Sequence, residues 1–207
     1  MRCPVDVFFA VLFFAFSSTI TLGPNNIMIM SSGVNYGIKD SLPHLLGICI
    51  GFPLMVLLVG LGFGLVFQQY PWLHSIIKVL GILYLFWLAW RIASSTPGSV
   101  EGAKRPPLTF LQAALFQWMN GKAWVMASGA IAAFTSLQGS FMFDVAQITA
   151  AFLVMSFPCV GLWLVFGALL RPLLAKPFLQ RIFNICMAVL LVASVMPVIY
   201  EMIIGKG

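Results

Sequence analysis

The stretch Thr19-Ile20-Thr21-Leu22-Gly23-Pro24-Asn25-Asn26-Ile27-Met28-Ile29-Met30-Ser31-Ser32-Gly33 interrupts an apolar run that otherwise reads as a membrane span. In lipid a span must satisfy its own backbone, which a continuous helix does. Gly23-Pro24-Asn25-Asn26 works against that. Proline lacks an amide donor and clashes with the turn before it. Glycine loosens the backbone, and hydrocarbon does not solvate asparagine amides. Such a break is tolerated where it lines a cavity or is buried in protein. The stretch therefore predicts a discontinuous helix, with Gly23, Pro24, Asn25 and Asn26 as one wall of a substrate site.

Composition sets the surroundings of that break. The chain has 207 residues, of which 61% are hydrophobic and 8% charged. A soluble domain carries about 25% charged residues. This chain is therefore read as one integral membrane domain, 1–207, with lipid as its solvent. At about 20 apolar residues per span, six spans and short loops use up the length. The net charge of +6 comes mostly from basic residues between apolar runs. That is a topology signal, not a nucleic-acid surface. Cys3, Cys49, Cys159 and Cys186 form no CxxC pair, and His44 and His74 stand apart near span ends. No metal site or cofactor is expected from them.

The spans are expected at about 5–32, 42–67, 75–93, 109–134, 143–170 and 180–204. For the first, a signal peptide competes, since the run follows Arg2 and contains small residues. The apolar Ile27–Met30 beyond the break favours a discontinuous span. A polar turn is expected at 35–41, and the one long polar segment is a linker at 96–106. Gly47 and Gly51 form a GxxxG spacing that predicts close packing within the chain rather than a dimer seam.

The fourth span carries a second interruption, Gln117-Trp118-Met119-Asn120-Gly121-Lys122. Lysine and asparagine inside a span are costly and tend to be functional. Lys122 near an interface, snorkelling out of the lipid, is the alternative. Aligning Met30-Ser31-Ser32-Gly33 with Met126-Ala127-Ser128-Gly129 puts Pro24 on Asn120 and Asn26 on Lys122. Phe52-Pro53 recurs as Phe157-Pro158, and Lys78 sits roughly where Asn184 lies. The prediction is an all-α membrane protein of six transmembrane helices. They form a 3+3 inverted-topology repeat, halves 1–95 and 107–207, with discontinuous first and fourth helices.

Lys39, Arg91, Lys104, Arg105, Arg171, Lys176 and Arg181 follow the odd-numbered spans and outnumber Arg2, Lys78 and Lys206 on the other side. That bias predicts both termini outside the cytoplasm.

With these residues in view, the chain resembles the LysE/RhtB family of amino-acid exporters. The resemblance rests on Thr21-Leu22-Gly23-Pro24-Asn25-Asn26, Ser32-Gly33, Gly37, Gly47, Gly51, Lys78-Val79-Leu80-Gly81, Tyr84-Leu85 and Gln117–Trp124. Leu22 replaces the first proline of the family's Thr-Pro-Gly-Pro, and Gly121 replaces the proline of its Asn-Pro-Lys. Trp87–Ala93 and the Gln-x-x-Asn-x-Lys spacing are most similar to the cysteine and O-acetylserine branch.

The resemblance implies ion-coupled efflux of small amino acids or derivatives, of cysteine, O-acetylserine, homoserine or threonine type, across a bacterial inner membrane. A homodimer is compatible with it. The residues suit a zwitterion. Backbone amides at a freed helix N-terminus, with Lys122, would hold a carboxylate. Asn25, Asn26, Asn120 and freed carbonyls would accept from an ammonium, with Gln117 in the same set.

The coupling ion, a proton or another, lacks an evident relay. Asp6, Asp40, Glu101, Asp144 and Glu201 all lie near span ends or in loops. Asp40, Lys78, Asp144 and Asn184 are the coupling or gating candidates, with Lys122 a further proton carrier. A membrane enzyme would need a catalytic set that the sequence lacks. An assembly subunit would not need buried Asn and Lys. The alternative kept is an inorganic-ion exporter on a related scaffold, although such a site calls for acidic or thiolate ligands inside spans.

Overall fold

The computed structural model describes residues 4–63, 69–94, 106–135, 141–174 and 176–204. Among them all regular structure is helical: α1 (Pro4–Ile20), α2 (Pro24–Leu58), a π-turn (Val59–Phe63), α3 (Pro71–Ala93), α4 (Phe110–Met119), α5 (Gly121–Phe134), α6 (Phe141–Leu173) and α7 (Pro177–Ile204).

Local chemistry sets most of the boundaries. Proline opens α2 and α3, where its missing N–H is not needed. Thr109 and Gln112 form a reciprocal capping box at the start of α4. α2 is bent into two limbs, residues 24–36 and 38–58, by Gly37 at φ 82°. That left-handed conformation favours glycine. A methyl there would also lie 2.8 Å from the Arg171 guanidinium. The polar turn expected at 35–41 is therefore reduced to one residue, because a single left-handed glycine reverses the axis and lets helix resume at Ile38. The linker expected at 96–106 lies, apart from Pro106, outside the described residues.

Packing relies on small residues. The first limb of α2 lies against α6, where a methyl on Gly33 would come within 2.5 Å of Leu164 O and one on Gly167 would strike Met30 O. The second limb lies against α4, with Gly47 over Phe110 and Ala113 and Gly51 over Ala114. The GxxxG pair thus serves contact within the chain. α3 packs on α7, and α1 on α6. Phe14, Phe52 and Phe152 meet edge to face between α1, α2 and α6.

The outer surface is apolar. Phe9, Phe13, Val125, Val154, Leu169 and Phe178 are exposed. Pro24–Gly62, Phe141–Leu173 and Pro177–Pro197 are long and apolar enough to cross a membrane, and Phe8–Ile20 and Val79–Ala93 are shorter apolar helices. Large apolar side chains facing outward on such helices identify lipid as their solvent. The molecule is an all-α multi-pass membrane protein.

Candidate functional site

α1 ends with carbonyls that a continuing helix would have used. Each carbonyl from Thr19 to Gly23 finds a partner instead. Asn26 Nδ2 donates to Thr19 O and to Thr21 O, both at 2.8 Å. Trp163 Nε1, on α6, donates to Ile20 O at 3.0 Å. Lys122 Nζ, on α5, donates to Thr21 O and Thr21 Oγ1 at 2.8 Å and to Leu22 O at 3.3 Å. The Ile27 N–H returns to Gly23 O at 3.0 Å. The ammonium thus sits on the negative end of the α1 dipole.

Gly23 makes that approach possible. A methyl on it would lie 2.8 Å from Lys122 Cδ. Its φ of −177° is open to any residue, so the requirement is space.

The second break is a single residue. Asn120, at φ −90° and ψ 105°, ends α4 and opens α5. Its side chain accepts from Lys122 N at 3.1 Å, an N-cap bond to the first turn. Across the break, Trp124 Nε1 donates to Trp118 O at 2.8 Å.

The two breaks touch. Asn25 Nδ2 donates to Gln117 Oε1 at 2.8 Å, and Gln117 Nε2 donates to Asn25 Oδ1 at 3.2 Å. Gln117 is fully buried and also donates to Ala113 O at 2.8 Å. Residues far apart in sequence therefore form one polar unit.

A cavity of about 380 Å³, its mouth included, opens beside this unit. Gly23, Asn25, Asn26, Asn120 and Lys122 line it, facing Ile48, Phe52 and Val160. Thr19 of α1 and Ser156 of α6 complete the polar wall. Thr19 Oγ1 and Ser156 Oγ are buried and have no hydrogen-bond partner. Buried hydroxyls are normally paired, so these two are available to a ligand. The start of α2 has no side-chain cap, and its N–H groups and dipole favour negative charge. The arrangement offers donors to a carboxylate, amide oxygens to an ammonium, and an apolar wall to a small side chain.

The expected site residues divide as follows. Gly23, Asn25, Asn26, Asn120 and Lys122 reach the cavity. Pro24 supplies the helix start, and Gln117 fixes Asn25 from behind. Asp40 is exposed in the first turn of the second α2 limb. Asp144 is half-buried in the first turn of α6. Neither lines this cavity.

Asn184 is fully buried on α7 and exchanges amide bonds with Asn35 at 3.1 and 3.3 Å. Gln180 Nε2 joins that knot through Asn35 Oδ1 at 3.0 Å. Lys78 falls within α3, and its side chain lies outside the described ones.

Thr19, Ser156 and Trp163 are additions that the sequence did not single out. Their types are unremarkable in apolar helices, and only their positions around the α1 end mark them.

A family model described as LysE type translocator matches residues 16–201. Cysteine/O-acetylserine efflux proteins of Escherichia coli (strain K12), Shigella sonnei (strain Ss046) and Shigella flexneri are similar to the chain. Each is 28% identical over 184 residues, covering 88% of this chain and 92% of the relative. No solved structure matches the chain.

Proposed function

Because the chain belongs to the LysE type translocator family, we propose that it exports small amino acids or their derivatives from the cytoplasm across a bacterial inner membrane. It is a transporter and not an enzyme. The observation that supports the substrate class most directly is the cavity where the two helix breaks meet, with unpartnered Thr19 and Ser156 hydroxyls in its wall. The relatives' name, cysteine/O-acetylserine efflux protein, favours a small polar side chain. Ile48, Phe52 and Val160 give the cavity an apolar wall for the rest of that side chain.

In this reading the substrate carboxylate turns to the uncapped start of α2 and to the two hydroxyls. Its ammonium turns to the Asn25 and Asn120 amide oxygens. Lys122 has its three N–H donors on Thr21 and Leu22 oxygens. An ammonium has no more than three donors. Direct capture of the carboxylate by Lys122 therefore requires one of these bonds to open. We infer that Lys122 mainly holds the two breaks together and reads substrate through that joint.

The 3+3 inverted repeat is part of the same proposal. α1 packs on α6, while α4 packs on the second limb of α2. If α1 with the first α2 limb corresponds to α4 with α5, these are the same contact made by each half on the other. The pairing of α3 with α7 fits the same exchange. Discontinuous helices in corresponding positions suit a transporter that rocks about a midplane site. Ion-coupled antiport supplies the driving force, with Asp40 and Asp144 as candidates at helix starts.

The test is expression in a host hypersensitive to individual amino acids, with internal and external pools measured. Cysteine or O-acetylserine should leave cells faster than from vector controls. Asn26→Ala and Lys122→Ala should each lower export at least about tenfold, the scale of two lost neutral hydrogen bonds in the first and of one lost charge-assisted bond in the second, while the protein still inserts. Normal export by both variants would remove the site.

A further inference from the structure

A second polar cavity lies at the other end of the first α2 limb. Its space is about 400 Å³, its open mouth included, and Ser31, Ser32, Asn35, His44 and Arg91 lie in its wall. His44 is 1% exposed and Ser31 is 3% exposed. His44 Nδ1 and Ser32 Oγ are 2.9 Å apart. The other ring nitrogen, Nε2, is buried with no partner, and so is Ser31 Oγ.

The Ser32 contact allows either imidazole tautomer, and in one of them the two orphans have a common polarity. A hydroxyl can always donate, and a neutral imidazole whose Nδ1 accepts from Ser32 carries its hydrogen on Nε2. Arg91 adds positive charge, with its guanidinium bonded to Pro106 O and lying 5.3 Å from the Trp87 ring centre. Asn35 is spent on Ser31 O, Asn184 and Gln180. In that tautomer the cavity offers donors beside the already bonded Arg91 guanidinium, which suits a carboxylate.

Its place in the fold ties it to the first cavity. His44, Ile48 and Phe52 recur every four residues and share one stripe of the second α2 limb. His44 lines the second cavity, while Ile48 and Phe52 line the first. On the first limb, Asn25 and Asn26 face the first cavity and Ser31 and Ser32 the second. The two cavities are stacked along one helical hairpin. The second lies toward the connection between α3 and α4, since Pro106, Pro107 and Leu108 close it.

We propose that this cavity is a second station for the transported amino acid, holding its carboxylate through His44 Nε2, Ser31 Oγ and Arg91 on the way to or from the helix-break site. The station rests on the exporter reading for its ligand. Two buried donors without partners weaken the empty protein, and a ligand that uses them explains why they are there.

The experiment uses the full chain in detergent and in proteoliposomes. Tritiated O-acetyl-L-serine binding, counterflow and thermal unfolding are measured for wild type, Ser31→Ala, His44→Leu and His44→Gln. Ser31→Ala and His44→Leu should each weaken binding and raise KM about tenfold, the effect of losing one bond to a charged group. His44→Gln keeps a donor near the Nε2 position and should recover most of the loss. Ser31→Ala should unfold at the same or a higher temperature, which keeps the test open if His44→Leu does not fold.

Unchanged binding and KM in Ser31→Ala and in any folded His44→Leu would overturn the station. Groups solvated by water alone would behave in that way. Failure of the wild type to bind O-acetylserine, cysteine or homoserine at millimolar concentration would overturn it too. Binding that both variants weaken, without counterflow in the wild type, would uphold the station and sink the exporter reading.

Discussion

Lys122 spends all its donors on one helix end: Thr21 O, Thr21 Oγ1 and Leu22 O. Its removal leaves Leu22 O without a partner and Thr21 O with Asn26 Nδ2 alone, and takes the positive charge off the end of α1. Lys122→Met should therefore lower both export and the unfolding temperature in detergent. Lys122→Arg should keep more of the stability than of the transport, since a planar fork cannot converge on three oxygens around one point. The Asn25–Gln117 pair invites a double-mutant cycle to alanine. Its expected coupling is about 0.5–1.5 kcal/mol in unfolding, and additivity would show that the two breaks are not joined by these amides. Asn25, Asn26, Asn120 and Lys122 were legible in the sequence because amides and a cation are conspicuous in an apolar run. Thr19 and Ser156 were not. A helical hydroxyl commonly bonds back to its own helix, as Ser18 does to Phe14 O and Ser128 to Trp124 O. Nothing in the residue type tells which hydroxyl is left over.

The elements meet through glycines whose roles differ although their sequence settings match. Gly33 and Gly129 end the matching Met-Ser-Ser-Gly and Met-Ala-Ser-Gly runs. A methyl at Gly33 would lie 2.5 Å from Leu164 O, whereas one at Gly129 meets nothing within 4 Å. Gly33→Ala should destabilise by about 1–3 kcal/mol through overpacking. Gly129→Ala should be neutral or stabilising by up to about 1 kcal/mol, the helix-propensity gain. Thermal unfolding of the two variants side by side checks this, and equal behaviour would contradict the close approach of α2 and α6. The bend at Gly37 is a further element-scale feature. Asn35-Tyr36-Gly37 read as part of a polar turn, yet only Gly37 leaves the helix. Of the hydrophilic residues around it, Asn35 is held by Asn184 while Lys39 and Asp40 are exposed.

At the scale of the whole molecule, we propose from the positive-inside bias that the connection between α3 and α4 faces the cytoplasm. A cysteine at position 104 should react with an impermeant thiol reagent only after the membrane is opened, and labelling from outside intact cells would reverse the orientation. The sequence by itself determined the solvent, the helical class and the two breaks. Composition and local backbone chemistry depend on nothing beyond neighbouring residues: 8% charge cannot cover a water-facing surface, and Gly-Pro-Asn-Asn cannot continue a lipid-exposed helix. Only the tertiary structure decided what each break is bonded to. Lys122 capping α1, Asn25 exchanging bonds with Gln117, and Trp163 closing Ile20 O join residues 92 to 143 positions apart. Such partners are chosen by how helices stack, through close glycine approaches between α2, α4 and α6 that no local pattern encodes.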